Sequence, residues 1–171
     1  MQLLRYTGAV TEPRWLTADE RAAWLRFVAV LQLLPGALDT QLNRDEDLTH
    51  FEYFCLAMLS EAPERTLRMT ALATRTNATL PRLSHVIAGL EKAGLVERVP
   101  CPGDRRATNA VLTDAGWTKI VQAAPGHVAA VREFVIDALT PAQLTQLGLL
   151  SERMLARLDP EGRVVGSLGR G

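Results

Sequence analysis

Two cysteines, three histidines and an aromatic content of 5% leave the sequence little with which to build metal, redox or covalent chemistry. Cys55 and Cys101 lie far apart and form no metal-ligand spacing, a usage that fits a reducing cytoplasm. His50, His85 and His127 are each isolated in sequence, so no metal site is expected. There is no Gly-rich phosphate loop and no G-x-S-x-G elbow, and Ser84 has no His/Asp arrangement around it. No catalytic constellation is found; an enzyme is not expected, and no cofactor is implied. No apolar run reaches the length of a membrane span, and the opening MQLLRYTGAV is not a signal peptide, so no membrane partner is expected. Net charge of one sign is also missing, with 19 basic against 19 acidic residues.

The zero is a cancellation. Residues 65–106 carry eight Lys/Arg against three acids, whereas residues 1–64 carry five against ten. Residues 107–171 balance at six and six. A basic middle flanked by an acidic third points to a local nucleic-acid footprint rather than a solvated face. Apolar residues at 47% and 171 positions suffice for one domain with its own core.

The basic stretch has a readable order. A short helix is expected from Thr70, as its N-cap, to about Thr76, with Leu72 and Ala73 inward. Asn77 stands in a tight turn, where left-handed backbone is tolerated. Thr79 caps a second helix with Pro81 in its first turn, and Leu83, Val86, Ile87 and Leu90 repeat on one face. Arg82, Ser84 and His85 point elsewhere. Gly94 stops that helix. Residues 95–99 alternate like a strand, Pro102-Gly103-Asp104 turns the chain, and Ala110-Val111-Leu112 returns. Two helices, a turn and a hairpin tipped by Asp104-Arg105-Arg106 make a winged helix-turn-helix. Adjacent exposed arginines suit phosphate or a minor groove better than packing.

The flanks read as helices. Thr17-Ala18-Asp19-Glu20 is a capping box that starts a long helix with Trp24, Phe27, Val28, Leu31 and Leu34 on one face. Pro35-Gly36 is expected to interrupt it with a kink before it resumes from Leu38 to Leu42. A second capping box, Thr49-His50-Phe51-Glu52, opens a helix to about Ser60 with Phe51, Phe54, Cys55, Met58 and Leu59 inward. After the wing, Thr113 caps a helix striped by Trp117, Ile120, Val121, Ala124, Val128, Val131, Val135 and Leu139, with a bend at Pro125-Gly126. Thr140-Pro141-Ala142-Gln143 opens the last helix, lined by Leu144, Leu147, Leu150, Met154 and Leu158.

The fold expected is mainly α with a small β-wing. Residues 1–16 form an N-terminal arm, 17–47 and 114–158 dimerisation helices, 48–113 the DNA-binding domain and 159–171 a loose tail. The apolar faces of the terminal helices are wider than one winged domain covers, which implies a two-fold homodimer. On double-stranded DNA, Pro81, Arg82, Ser84 and His85 would face the major groove, with Arg82 matching a guanine edge. Thr70, Arg75, Asn77, Thr79 and Arg105 would contact or flank the backbone and set the register. Two-fold symmetry then calls for a palindromic operator with half-sites about 10 base pairs apart. The competing reading is a winged-helix protein-interaction module without DNA binding.

The segment Gly94-Leu95-Val96-Glu97-Arg98, followed by Gly103-Asp104-Arg105-Arg106-Ala107 and Val111-Leu112-Thr113-Asp114-Ala115-Gly116, resembles the wing signature of the MarR family of bacterial transcription regulators. The resemblance runs from about Thr17 to Leu158. Leu80-Pro81-Arg82 stands where that family commonly has small hydroxyl residues. The resemblance implies a cytoplasmic regulator, nucleoid-associated when bound, most simply a repressor. It implies that Asp104 orients Arg106 into the minor groove. It also implies a pocket for a small aromatic or phenolic effector. Trp24, His50, Tyr53 and Trp117 are the candidates to line it; the plainer reading is that these aromatics pack in core or interface. Some relatives sense peroxide through a cysteine near the first helix, where this chain has none; Cys101, near the wing, is the alternative redox residue.

Overall fold

A computed structural model describes residues 13–164. Among the described residues the α-helices are α1 (Ala18–Glu46), α2 (His50–Ser60), α3 (Met69–Arg75), α4 (Leu80–Lys92), α5 (Asp114–Val131) and α6 (Pro141–Leu158). The strands are β1 (Thr66–Arg68), β2 (Val96–Cys101) and β3 (Asp104–Leu112). They form one antiparallel sheet in the order β1-β3-β2. The architecture is a winged helix-turn-helix flanked by long helices, as the sequence implied.

The chain divides into two compact units at Leu34/Pro35. The first contains the opening turns of α1. Thr17 and Glu20 exchange both capping-box hydrogen bonds there, at 2.8 and 3.2 Å. Trp24, Leu25, Val30, Leu31 and Leu33 are exposed in this unit. The expected N-terminal arm falls mostly on residues 1–12, outside the described residues.

The second unit holds the rest of α1 and everything after it. Its core is built by Leu42, Leu56, Leu59, Leu72, Leu83, Ile87, Leu90 and Val96, each nearly inaccessible. These residues come from α1, α2, α3, α4 and β2, so burial of their apolar surface welds α3 and α4 to the wing. Cys55 belongs to this core, and its burial pushes the thiol up to about 12. Phe51 and Phe54 are only half-buried.

Several local expectations need correction. Helix α1 continues through Pro35 without a break in its helical assignment, so residues 18–46 form one element. That helix is long and apolar enough to cross a membrane by length and composition alone, a property missed in the sequence. Thr70 is not an N-cap: α3 begins at Met69, and Arg68 occupies the cap position without a side-chain hydrogen bond. The reason is β1, a three-residue strand that runs straight into α3 and pairs Thr66–Arg68 with Asn109–Val111. Helix α5 spans Asp114–Val131 with Pro125 inside it, as expected, and then loosens into a π-helical turn at Arg132–Ile136. Its expected stripe is split: Ile120 is buried, whereas Trp117, Val121 and Val128 stay exposed. In the described part of the tail the Asp159 carboxylate accepts from the backbone N–H groups of Arg163 and Val164; residues 165–171 lie outside the described residues.

The remaining cap and turn expectations hold. Thr49 and Thr140 make full capping boxes with Glu52 and Gln143. Thr79 and Thr113 cap α4 and α5. Each such cap is worth about 1 kcal/mol. Asn77 sits at φ 48°, the left-handed turn between α3 and α4. Gly116 lies where α5 meets the wing, and a Cβ there would run into the Leu95 carbonyl oxygen and the Leu112 side chain.

Candidate nucleic-acid interface

Burial of Leu83, Ile87 and Leu90 fixes the rotation of α4. Pro81, Arg82 and His85 are therefore exposed, and Ser84 is half-buried on the side of the wing. Pro81 needs no hydrogen-bond donor in the first turn, and the Arg82 N–H donates to the Thr79 hydroxyl at 3.4 Å. The free N-terminal amides and the helix dipole give this end of α4 a positive character.

Between α4 and the wing lies an open cleft of about 210 Å³. Arg68, Arg98, Arg106, Thr70, Ser84 and Thr108 contribute polar groups to it. Arginines from β1, β2 and β3 thus line one concavity beside the exposed face of α4. Carboxylates steady two of them. Glu91 accepts from Arg98 at 2.8 Å through Nε and also from the Arg98 backbone N–H at 3.0 Å. These hydrogen bonds hold the Glu91 carboxyl below the usual range. Asp104 lies 3.6 Å from the Arg68 guanidinium. Among the described residues no carboxylate lies within ion-pair distance of the Arg106 side chain, which is exposed. Arg106 is the cleft cation least committed within the protein.

Asp104 does not orient the Arg106 side chain. It accepts the Arg106 backbone N–H at 3.1 Å and reaches the Arg68 guanidinium with its other oxygen. The chain reversal at Gly103, with φ 81°, brings Arg106's amide rather than its side chain to the carboxylate. Arg68 also donates to the Cys101 sulfur at 3.3 Å. Sequence reading passed over Arg68, Arg98 and Thr108. Arg68 was hidden because β1 is too short to announce itself. Arg98 and Thr108 were legible as alternating wing positions, but nothing marked the face they share.

Of the remaining candidates, Thr70 lines the cleft, Thr74 donates its hydroxyl to the Thr70 carbonyl, and Arg75 is half-buried. Asn77 and Thr79 are exposed in and after the turn. Arg82 is not extended: its guanidinium lies 4.4 Å from the Phe51 ring centroid, on the α2 side of α4. The Arg105 side chain lies outside the described residues.

The aromatic candidates have the following neighbours within their own units. Trp24 belongs to the first unit and neighbours Phe27 at 6.4 Å. Trp117 lies under the Arg65 guanidinium at 4.2 Å, and Arg65 also reaches Asp114 at 3.1 Å. His50 and Tyr53 do come together, joined by His127, which was not singled out as a pocket residue. Among the described residues no three His, Cys, Asp or Glu side chains converge to hold a metal.

Comparison with known proteins agrees with this geometry. Residues 48–108 match the MarR family. Sco3205 of Streptomyces coelicolor, a MarR family transcriptional regulator solved in complex with DNA, is 46% identical; the match covers 88% of this chain and 94% of that one, with a TM-score of 0.84. AbsC, a MarR family regulator of the same organism, is 40% identical over 85% of this chain and 98% of that one, with a TM-score of 0.81. The transcriptional repressor YetL of Bacillus subtilis is 31% identical over 63% of this chain and 66% of its own length. The matched region holds the α4 helix, the Arg68 strand and the arginine-bearing wing, and the chain belongs to the MarR family of transcription regulators.

Proposed function

We propose that the protein is a homodimeric repressor that binds a palindromic double-stranded operator in the cytoplasm. Helix α4 enters the major groove, and the wing lays Arg106 in the adjacent minor groove. The observation that carries this reading is the cleft lined by Arg68, Arg98 and Arg106 beside the exposed, capped N-terminus of α4. The DNA complex of Sco3205 supports it by likeness. The second copy covers the apolar residues exposed on α6, Leu144, Leu147, Leu150 and Met154, and those exposed on the first turns of α1. A dimer interface of this apolar kind typically buries about 2,000 Å² or more.

A small aromatic effector relieves binding by preferring a dimer whose reading heads are wrongly spaced; it can do so only through unequal affinity for the two geometries. Support for this part is limited to the His50–Tyr53 grouping. Redox control through Cys101 has one observation in its favour, the 3.3 Å contact between its sulfur and the Arg68 guanidinium, through which modification of the sulfur would disturb a cleft arginine.

The test is an electrophoretic shift on duplexes selected from a random-sequence pool and on DNA upstream of the gene. Recovery of a two-fold symmetric site bound by a dimer supports the reading. Failure to enrich any sequence leaves the protein-interaction reading in its place.

A further inference from the structure

The seam between α2 and α5 contains a titratable cluster that the DNA-binding account leaves unused. His50 stands in the first turn of α2, and His127 lies on α5. Their rings are 5.8 Å apart between centroids, and the Tyr53 ring lies 4.3 Å from His127. Nδ1 of His127 is buried and has no hydrogen-bond partner.

That arrangement suits two neutral imidazoles. A neutral ring leaves at worst one weak polar atom unpaired, whereas an imidazolium carries two N–H donors that both need acceptors. His127 has no acceptor at Nδ1. A charge on both rings would also set like charges against each other at close range. His50 is further opposed by the positive end of α2.

The other groups on the packed elements do not reverse this. From α1, Asp39 accepts the His50 backbone N–H at 2.8 Å, and its carboxylate favours charge on His50 alone. From α2, Glu52 is engaged with the Thr49 cap, and Glu61 acts on Tyr53. Between α1 and α5, Glu46 pairs with Lys119 at 2.9 Å. Asp45, near Gly126, is engaged by Arg44 and Gln41, and among the described residues no carboxylate acts on His127. Burial accordingly lowers the affinity of both rings for a proton, with Asp39 opposing at His50 and His50 adding to the effect at His127.

We infer that the His50–His127 contact is a proton-operated latch between the reading domain and α5. Neutral, it closes the seam; protonated, it opens the seam and loosens the grip on DNA. The inference rests on the DNA-binding reading for its functional readout, but the latch itself has an independent one. Both histidines bind protons more weakly when packed than their ordinary value of 6.5. The closed seam is therefore fully favoured above that value and is lost as pH falls through the packed values. Each proton taken up on opening can change affinity by at most about tenfold per pH unit.

His85 supplies the necessary control. It is exposed on α4, on the face proposed to meet DNA, so the latch is read in proteins that lack it. The experiment measures affinity for a selected duplex at constant ionic strength from about pH 8 to about pH 5.5. The full-length proteins compared are wild type, His85→Gln, and His85→Gln combined with His50→Gln or His127→Gln.

The latch predicts acid loss in the His85→Gln protein and a flat profile once either latch histidine is replaced. Equal acid loss with and without His127, or no loss in His85→Gln, overturns it. NMR titration of the wild-type histidines without DNA gives the independent readout, and it also serves if a latch variant fails to fold. A His127 titration that shifts α2 and α5 amide resonances together supports the latch. A titration at the ordinary value with no shift in α2 overturns it. Absence of DNA binding at about pH 8 in every protein sinks the functional reading alone.

Discussion

Asp104 and Arg68 meet across the sheet, the Asp104 carboxylate lying 3.6 Å from the Arg68 guanidinium while it also holds the Arg106 backbone N–H at 3.1 Å. One acidic residue at the hairpin therefore sets two things, the position of a cleft arginine and the path of the strand that carries another. Replacing Asp104 by Asn keeps an acceptor for the amide but removes the ion pair. Asp104→Asn should weaken DNA binding mildly, and Asp104→Ala several-fold more, because only the latter frees the strand. The pair is half-exposed, so global stability should change by less than about 1 kcal/mol in either variant. Thermal melts alongside binding titrations check both expectations; equal affinities for the Asn and Ala proteins would contradict the division.

Arg82 makes a different prediction. Its guanidinium rests on Phe51, so it must leave the ring, or use it as a platform, to reach a base edge. Arg82→Ala should cost on the order of 1–3 kcal/mol and relax preference at one position per half-site. Parallel selection experiments with wild type and variant read this directly. A uniform loss over all sequences would make Arg82 a phosphate contact instead.

Assembly is testable without DNA. Leu147→Glu and Leu150→Glu place charges on the exposed apolar face of α6. The account predicts a dimer for the wild type by light scattering, and folded monomers with much weaker operator binding for the variants. A monodisperse, folded wild-type monomer at micromolar concentration would remove the dimer from the mechanism.

The two thiols should differ sharply. Cys55 is buried and pushed up to about 12, so it stays protonated and shielded at neutral pH. Cys101 is half-buried beside Arg68. Brief alkylation of the native protein should label Cys101 and spare Cys55, as read by peptide mass spectrometry. If the redox reading is right, labelling also weakens DNA binding by displacing Arg68; unchanged affinity of the labelled protein would end it.

Much of this was legible in the chain because its signals are local. A threonine followed three residues later by Glu or Gln marks a helix start whatever lies around it, and Thr49-Glu52 and Thr140-Gln143 formed as read. What failed depended on tertiary pairing. Thr66–Arg68 is too short to be recognised as a strand until β3 lies beside it, and that strand displaced Thr70 from its expected capping role. Pro35 does not interrupt α1: it costs the helix one hydrogen bond, and the helix continues across the loss. The exposed side of α4 followed from periodicity, but the cleft did not. Arg68, Arg98 and Arg106 are spread over 39 positions and meet only through sheet pairing. His127 was missed for the same reason, since it acquires its partners only when α5 packs on α2.

The central claim is that α4 and the wing read DNA together, and Arg106 is its most exposed component. The direct measurement is a binding titration of wild type and Arg106→Ala on a selected palindrome, a scrambled duplex and a palindrome with G·C-rich flanks, at several salt concentrations. The account predicts that Arg106→Ala loses affinity most on A·T-rich flanks, where the minor groove is narrow, and binds the palindrome with a shallower salt dependence. Full affinity and an unchanged salt slope in the Arg106→Ala protein would contradict it.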